Sequence, residues 1–136
     1  MYLCKVIINI YTKLNGVGLQ ADAELLKAIL SSHDVLIIDW ERPRMKRACD
    51  IGIHLEHIRR EFIALAKVNI NIPNPEWFEA RWQPLLRYMN AVLCKTHYTY
   101  DIFSRMHGNC IYIGWTSTDR YVPGIDKRMM CLHLAG

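Results

Sequence analysis

The segment LCKVIINIYTKLNGVGLQADAELL (residues 3–26) decides the fold, because it joins a strand pattern to a helix pattern through a loop that contains two glycines. Residues 3–10 are nearly all apolar, as expected of a strand that is covered on both faces of a sheet. Asp22 and Glu24 lie where the dipole of a following helix favours acids. The apolar stripe of that helix consists of Leu25, Leu26, Ile29 and Leu30. The segment therefore predicts one βα unit.

The same alternation continues along the chain. Further strand-like runs are residues 35–40, 51–55, 68–72, 91–95, 110–115 and 129–134. Asn74 followed by Pro75 predicts the start of a helix that Pro84 kinks or splits, and a third helical stripe runs from Tyr98 to Met106. Strands that are joined by helices favour an α/β fold with a Rossmann-like parallel sheet flanked by helices. In such sheets the ligand crevice lies outside the carboxyl ends of the strands.

The composition excludes several classes of protein. The chain has 136 residues, of which 51% are hydrophobic and 22% are charged, as in ordinary globular proteins. No apolar run approaches the ~18 to 20 residues of a membrane span, and residues 1–10 lack the features of a signal peptide, so we expect a cytoplasmic protein. A net charge of +4 argues against a nucleic-acid partner. Five cysteines without CxxC spacing predict reduced thiols and no metal site.

The glycine loop admits two interpretations from its residues. Gly16, Gly18 and Ala21 match the pattern G-x-G-x-x-G/A of dinucleotide-binding folds, and Asp39 lies about 20 residues further on, where a ribose-binding acid would sit. However, YTKLN (11–15) separates the predicted strand from Gly16, whereas in such folds the first glycine follows the strand directly. The glycines either present amides to an anion in a more open loop or only relieve backbone strain in a turn.

Two further segments carry polar or charged groups. In HLEH (54–57), His54 or Glu56 could act as a hydrogen-bonding or acid-base group in the crevice, or the segment is a solvated strand end. Strand alternation would point these two side chains to one face and His57 to the other, which makes metal ligation awkward. ERPRMKR (41–47) is basic enough to touch phosphate or anionic lipid, although a solvated loop explains it as well. We expect the four tryptophans to pack in the core or against helices.

Three stretches carry a resemblance to a known family, namely IPNPEWF (72–78), VLCKTHYTYDIF (92–103) and YIGWTSTDRY (112–121). Together with residues 15–26 and 53–58, they are similar in order and spacing to the amino-terminal half of bacterial GT-B type glycosyltransferases. The resemblance implies two Rossmann-like domains that face each other across a cleft. The first domain mainly holds the acceptor, and the second holds the nucleotide-sugar donor.

The resemblance also implies roles for particular residues. It places these residues in the substrate cleft: Asn15, Gly16, Gly18, Asn74, Glu76, Lys95, Thr96, Thr116 and Ser117. An inverting enzyme would need a general base, for which Glu56, His54 and Asp119 are candidates. No cofactor or metal is implied, because amide dipoles and cations can stabilise the departing diphosphate. The implied partners are a nucleotide-sugar donor and an unidentified acceptor, and an anionic membrane is a further candidate.

The domain division follows from the same resemblance. Residues 1–125 would form the first domain, and residues 126–136 would begin a truncated second domain that holds the donor site. We therefore expect sugar transfer to an acceptor hydroxyl by a full-length enzyme, and no or negligible activity of the 136-residue chain. The alternatives are a dinucleotide-binding oxidoreductase domain and a non-catalytic Rossmann-like interaction domain, held at an anionic membrane through residues 41–47.

Overall fold

Strands and helical segments alternate in the computed structural model, which describes residues 5–16 and 18–116. The strands are β1 (Ile7–Thr12), β2 (Asp34–Asp39), β3 (Cys49–Leu55), β4 (Ala66–Ile72), β5 (Ala91–Cys94) and β6 (Cys110–Tyr112). The α-helices are α1 (Gly18–Ile29), α2 (Arg60–Ile63) and α3 (His97–Phe103), and two 3₁₀-helices cover Pro75–Trp77 and Ala80–Tyr88. The predicted strand 129–134 and the proposed domain start at 126–136 lie outside the described residues.

The six strands form one parallel sheet in the order β2-β1-β3-β4-β5-β6. This confirms the predicted α/β fold of Rossmann-like type. The chain runs from β1 outward to β2, then crosses back over β1 to β3 and continues in the opposite direction. The point at which the strand order reverses therefore lies between β1 and β3, and ligands of open α/β sheets bind at such a point.

The strand register divides the core into two faces. Ile10 pairs with Ile53 and Tyr11 pairs with His54, so alternate residues of neighbouring strands share a face. The face beneath α1 is aliphatic, with a buried cluster of Ile8, Ile10, Ala23, Ile53, Leu55 and Ile72. The opposite face is covered by α2, α3 and the 3₁₀-helices, and Phe62 and Phe103 are buried there.

A row of buried polar side chains lies on this second face. Its members are Asn9, Tyr11, His54, Asn69 and Asn71. The Nε2 of His54 donates to Oδ1 of Asn69 at 2.9 Å, and Nδ2 of Asn71 donates to the carbonyl oxygen of His54 at 2.9 Å. Burial lowers the pKa of His54 to about 4, so its ring is neutral at pH 7. His54 is thus neither at a solvated strand end nor in the crevice, and both interpretations offered for it were wrong.

Several element boundaries differ from the sequence-based prediction. β1 continues to Thr12, so three residues rather than five separate the strand from Gly16. The side chain of Asn74 makes no cap hydrogen bond, and the segment that follows is 3₁₀-helical, broken at residues 78–79 rather than at Pro84. Pro84 lies inside the second 3₁₀-helix, where its missing N–H removes one backbone hydrogen bond. No helix in the described part of the chain is long and apolar enough to cross a membrane.

Candidate functional site

A pocket of about 650 Å³ lies at the carboxyl ends of the strands, beside the point where the strand order reverses. Because all six strands are parallel, the loops that follow them meet at one edge of the sheet. The loops after β1 to β4 line the pocket with Lys13, Asn15, Trp40, Glu41, Glu56, His57, Arg59, Asn74 and Trp77, and Gly18, Leu19, Asp22 and Arg81 complete it.

Glu56 has the most unusual conformation in the pocket. It directly follows β3, and its φ of 63° lies in the left-handed region, where a side chain with a Cβ is strained. The N–H of Glu56 donates to the carbonyl oxygen of Ile72 at 2.9 Å, which holds the strained backbone in place. The left-handed turn ends the alternation of side chains along the strand. The expectation that His54 and Glu56 point to one face of the sheet and His57 to the other was therefore wrong. Strain of this kind is concentrated at functional sites.

The carboxyl group of Glu56 is nearly buried and its pKa is shifted. The residue is only 5% exposed, and within residues 5–16 and 18–116 no group hydrogen-bonds to its carboxylate. Burial raises the pKa of Glu56, the positive charge of Lys95 opposes that rise, and the negative charge of Glu76 adds to it. A buried carboxylate with unoccupied oxygens and a raised pKa is a stronger base than one in water.

His57 is held between two tryptophan rings. Its ring centroid lies 4.4 Å from that of Trp40 and 3.9 Å from that of Trp82. Burial lowers its pKa to about 4, and the nearby cations Arg59, Arg81 and Lys13 lower it further, while Glu79 opposes the shift. Its Nδ1 is buried without a hydrogen-bond partner in the described part of the chain. The ring is therefore neutral at pH 7.

The glycine loop enters the pocket through Gly18, which is the first residue of α1. Gly16 has a φ of 76°, so it serves the turn, and its N–H donates to Oε1 of Gln20 at 2.9 Å. One of the amides expected to meet an anion is thus already occupied. Asp39 accepts a hydrogen bond from the N–H of Glu41 and lines a different cavity. Gly18 of the glycine loop and Asp39, the predicted ribose-binding acid, therefore line different pockets.

Lys95 and Thr96 have structural partners. Nζ of Lys95 lies 2.9 Å from Oδ2 of Asp22 and 4.9 Å from the ring centroid of Trp115, whose Nε1 donates to Asp22 at 3.1 Å. The side chains of this pair are only 15% and 22% exposed, so the pair ties β5 to α1 and leaves Lys95 to act on Glu56 through its charge. Thr96 caps α3, because its Oγ1 accepts a hydrogen bond from the N–H of Thr99.

The predicted site residues are therefore only partly brought together. Asn15, Gly18, Glu56 and Asn74 line the pocket, while Glu76 lines a smaller cavity beside it. Thr116 is exposed near the end of the described part, and Ser117 and Asp119 lie outside it.

The sequence-based prediction missed several pocket residues, namely Lys13, Trp40, Arg59 and Arg81. Trp77 is 62% exposed at the pocket, so the expectation that every tryptophan packs in the core or against helices was wrong for it. Most of the missed residues lie within five positions of a strand end, and that position was the signal in the sequence that could have identified them.

The basic loop at residues 41–47 borders a second cavity of about 490 Å³. Arg42 and Arg44 line it together with Leu14 and Met45. Arg47 instead packs against the sheet, where its NH1 donates to both carboxylate oxygens of Asp34 at 3.1 Å. The loop is therefore only partly a solvated one.

The described residues contain free thiols but no cluster of potential metal ligands. No group of three potential ligand side chains within residues 5–16 and 18–116 could hold a metal ion. Cys49, Cys94 and Cys110 are free thiols, and burial raises the pKa of Cys94 to about 11, which makes it unreactive at neutral pH.

Comparisons of the chain with protein-family models, with curated proteins and with solved structures found no match. The pocket itself is therefore the basis for a functional proposal.

Proposed function

We propose that the pocket holds the acceptor of a GT-B type glycosyltransferase and that Glu56 is the general base. The observation that carries this proposal is the strained, nearly buried Glu56, whose carboxylate has no hydrogen-bond partner in the described part of the chain. A carboxylate kept free of protein donors at the expense of backbone strain is suited to accept a proton from a substrate.

The proposed reaction is an inverting transfer. A hydroxyl oxygen of the acceptor attacks the anomeric carbon of the donor sugar, Glu56 takes the hydroxyl proton, and the bond to the nucleoside diphosphate breaks with its electron pair leaving on the phosphate oxygen. The positive charge of Lys95 favours the ionised form of Glu56 and so opposes the effect of burial on its pKa. The donor would be held by a second domain, as the family resemblance implies.

The lining of the pocket supports a hydroxyl-rich ligand. Asn15, Asn74 and Glu41 offer donors and acceptors along the walls. The exposed ring of Trp77 offers an apolar face at the same pocket. Sugars combine polar edges with an apolar ring face, so this combination fits a sugar acceptor better than a purely apolar ligand.

The proposal is tested by replacing Glu56 in the protein that includes the donor-binding domain. Glu56→Gln should lower kcat about 100- to 10,000-fold with radiolabelled nucleotide-sugars, because a positioned base contributes an acceleration of that order. Glu61→Gln is the matched control, since Glu61 is an exposed residue of α2 outside the pocket. A Glu56→Gln enzyme that transfers sugar at the wild-type rate would remove Glu56 from the mechanism.

The 136-residue chain should bind acceptor-like sugars but transfer none. Robust transfer by this chain would contradict the division of donor and acceptor between two domains. Binding of NADH at millimolar concentration, followed by fluorescence, would instead favour the oxidoreductase alternative.

We also propose that the loop at residues 41–47 contacts an anionic membrane surface. Met45 is 52% exposed and Leu14 is 45% exposed, and both border the cavity that Arg42 and Arg44 line. Apolar side chains beside cations are suited to headgroups of anionic lipids. Sedimentation with phosphatidylglycerol vesicles should show binding that disappears at about 1 M salt, where the Debye length is about 3 Å. Equal binding to neutral vesicles would contradict this.

A further inference from the structure

Most charged side chains of the pocket are in ion pairs. Nζ of Lys13 lies 2.8 Å from a carboxylate oxygen of Glu41, and Nε of Arg81 lies 2.7 Å from Glu79. Arg59 lines the same pocket but has no carboxylate within ion-pair distance in the described part of the chain. It is therefore a cation whose charge is not neutralised by a direct ion pair.

Arg59 is nevertheless held in place. Its guanidinium carbon lies 4.5 Å from the ring centroid of Trp40, and Trp40 is itself buried at the end of β2. The Nε of Arg59 is buried and has no hydrogen-bond partner within residues 5–16 and 18–116. A buried guanidinium nitrogen without a partner is costly unless a ligand satisfies it. This cation–π contact with the indole restrains the guanidinium before any ligand arrives.

The surroundings of Arg59 also favour a negative ligand. The pKa of His57 is lowered first by burial and then by Arg59, Arg81 and Lys13, so three cations act on this side of the pocket. Glu56 does not neutralise Arg59, since the charges that shift its pKa are those of Lys95 and Glu76. The pocket thus contains a base and a separate unpaired cation.

We propose that Arg59 forms an anion-binding subsite that takes a phosphate or carboxylate group of the ligand through two parallel hydrogen bonds. The planar fork of an arginine matches both groups, and charge-assisted pairs of this kind are the strongest hydrogen bonds available to a binding site. This inference deepens the proposed function, on which it rests for the identity of the ligand as an acceptor. The acceptor would then be an acidic sugar or a sugar phosphate.

The test is a set of binding titrations on the 136-residue chain by calorimetry. The probes are glucose 6-phosphate, glucuronate and the neutral methyl glucoside. We expect the charged probes to bind more tightly than the neutral one, and the tighter of the two identifies phosphate or carboxylate as the preferred group. Arg59→Gln should weaken binding of the preferred probe about 10- to 100-fold and leave that of methyl glucoside unchanged.

Arg87→Gln is the matched control. Arg87 also lies over an aromatic ring, with its guanidinium carbon 4.8 Å from the centroid of Tyr88, but it is exposed and does not line the pocket. Its replacement should leave all three affinities unchanged. Should Arg59→Gln fail to fold, Arg59→Lys decides, because lysine keeps the charge and loses the fork, so affinity for the preferred probe should still fall.

The subsite is overturned if the charged probes bind no more tightly than methyl glucoside. It is also overturned if a folded Arg59→Gln variant binds them as the wild type does, or if Arg59→Lys leaves their affinity unchanged. These results are independent of the proposed reaction. If the charged probes bind more tightly but the enzyme transfers no sugar, the anion-binding subsite is retained and the proposed glycosyltransferase activity is rejected. If the enzyme transfers sugar but the charged probes bind no more tightly, the activity is retained and the subsite is rejected.

Discussion

The left-handed backbone at Glu56 should lower the stability of the folded protein. Two substitutions at this position measure by how much. Glu56→Ala and Glu56→Gly both delete the carboxylate, but only glycine adopts a φ of 63° without steric strain. The difference in unfolding free energy between the two variants therefore reports backbone effects, without any effect of the charge.

The magnitude follows from two opposing contributions. Left-handed backbone costs a residue with a Cβ roughly 1 to 2 kcal/mol. Glycine relieves this strain but lowers the stability by about 0.4 to 1 kcal/mol, because it gives the unfolded chain more conformational freedom. Glu56→Gly should therefore be more stable than Glu56→Ala by about 1 kcal/mol, which corresponds to about 4 °C in Tm for a domain of this size. Urea unfolding followed by circular dichroism measures the difference directly.

The charge of Glu56 is examined by the same assay at different pH. Its pKa is raised above the ordinary value of 4.5 by burial, so the folded protein binds this proton more tightly than the unfolded chain does. The resulting stability is present below pH 4.5 and is lost as the pH rises through the raised pKa. Relative to either variant, the wild type should thus lose stability from acid towards neutral pH. If Glu56→Ala equals or exceeds Glu56→Gly in stability, the argument from backbone strain is refuted.

Three further predictions concern the scaffold of the pocket. Gly52→Ala should lower stability by about 1 to 3 kcal/mol, since a Cβ there would come within 3.0, 3.1 and 3.2 Å of three atoms; unchanged urea unfolding would contradict this. The pKa of about 4 for buried His54 lies below the ordinary 6.5, so the protein should lose roughly 2 kcal/mol of stability between pH 7 and pH 5 through this residue, and His54→Gln should flatten that dependence. Gly16→Ala should cost about 1 kcal/mol because of its φ of 76°, whereas Gly18→Ala, with open space around the added Cβ, should change stability by less than about 0.5 kcal/mol and serve as a folded variant for ligand titrations. Unfolding of the chain by Gly18→Ala would make this glycine a structural turn residue.

Glu56 and Lys95 show how far the candidate site could be predicted. Glu56 was a candidate as a polar residue of HLEH (54–57) and Lys95 through the family resemblance, and Glu56 does line the pocket. The position of Lys95 after β5 was equally visible, but its partner is Asp22, which lies 73 residues away in the sequence. An ion pair between residues so far apart in the sequence forms only where α1 and β5 meet in space, and no local sequence pattern predicts it.

The element boundaries show the same limit. Tyr11 and Thr12 look like loop residues in the sequence, yet they continue β1 because they pair with His54 of β3 and Asp39 of β2. The period-two pattern placed His54 and Glu56 on one face, and the left-handed turn at Glu56 made that inference wrong. Sheet contacts and strained turns override local preference, so the ends of elements are where prediction from sequence is weakest.

The sequence by itself determined the class of fold, because the hydrophobic periodicity that separates strands from helices is a local property, and alternating strands and helices have few arrangements other than a parallel sheet. It also determined that polar groups would gather where the strands end. The tertiary structure alone decided which of those groups share a pocket. The order of the strands brings the loops after β1, β2, β3 and β4 together. It buries His54 on the face of the sheet that α2 and α3 cover. Glu56 and Arg59 are left as the charged groups of the pocket without an ion-pair partner in the described residues. Such selection depends on contacts between distant parts of the chain, and these exist only once the sheet has formed.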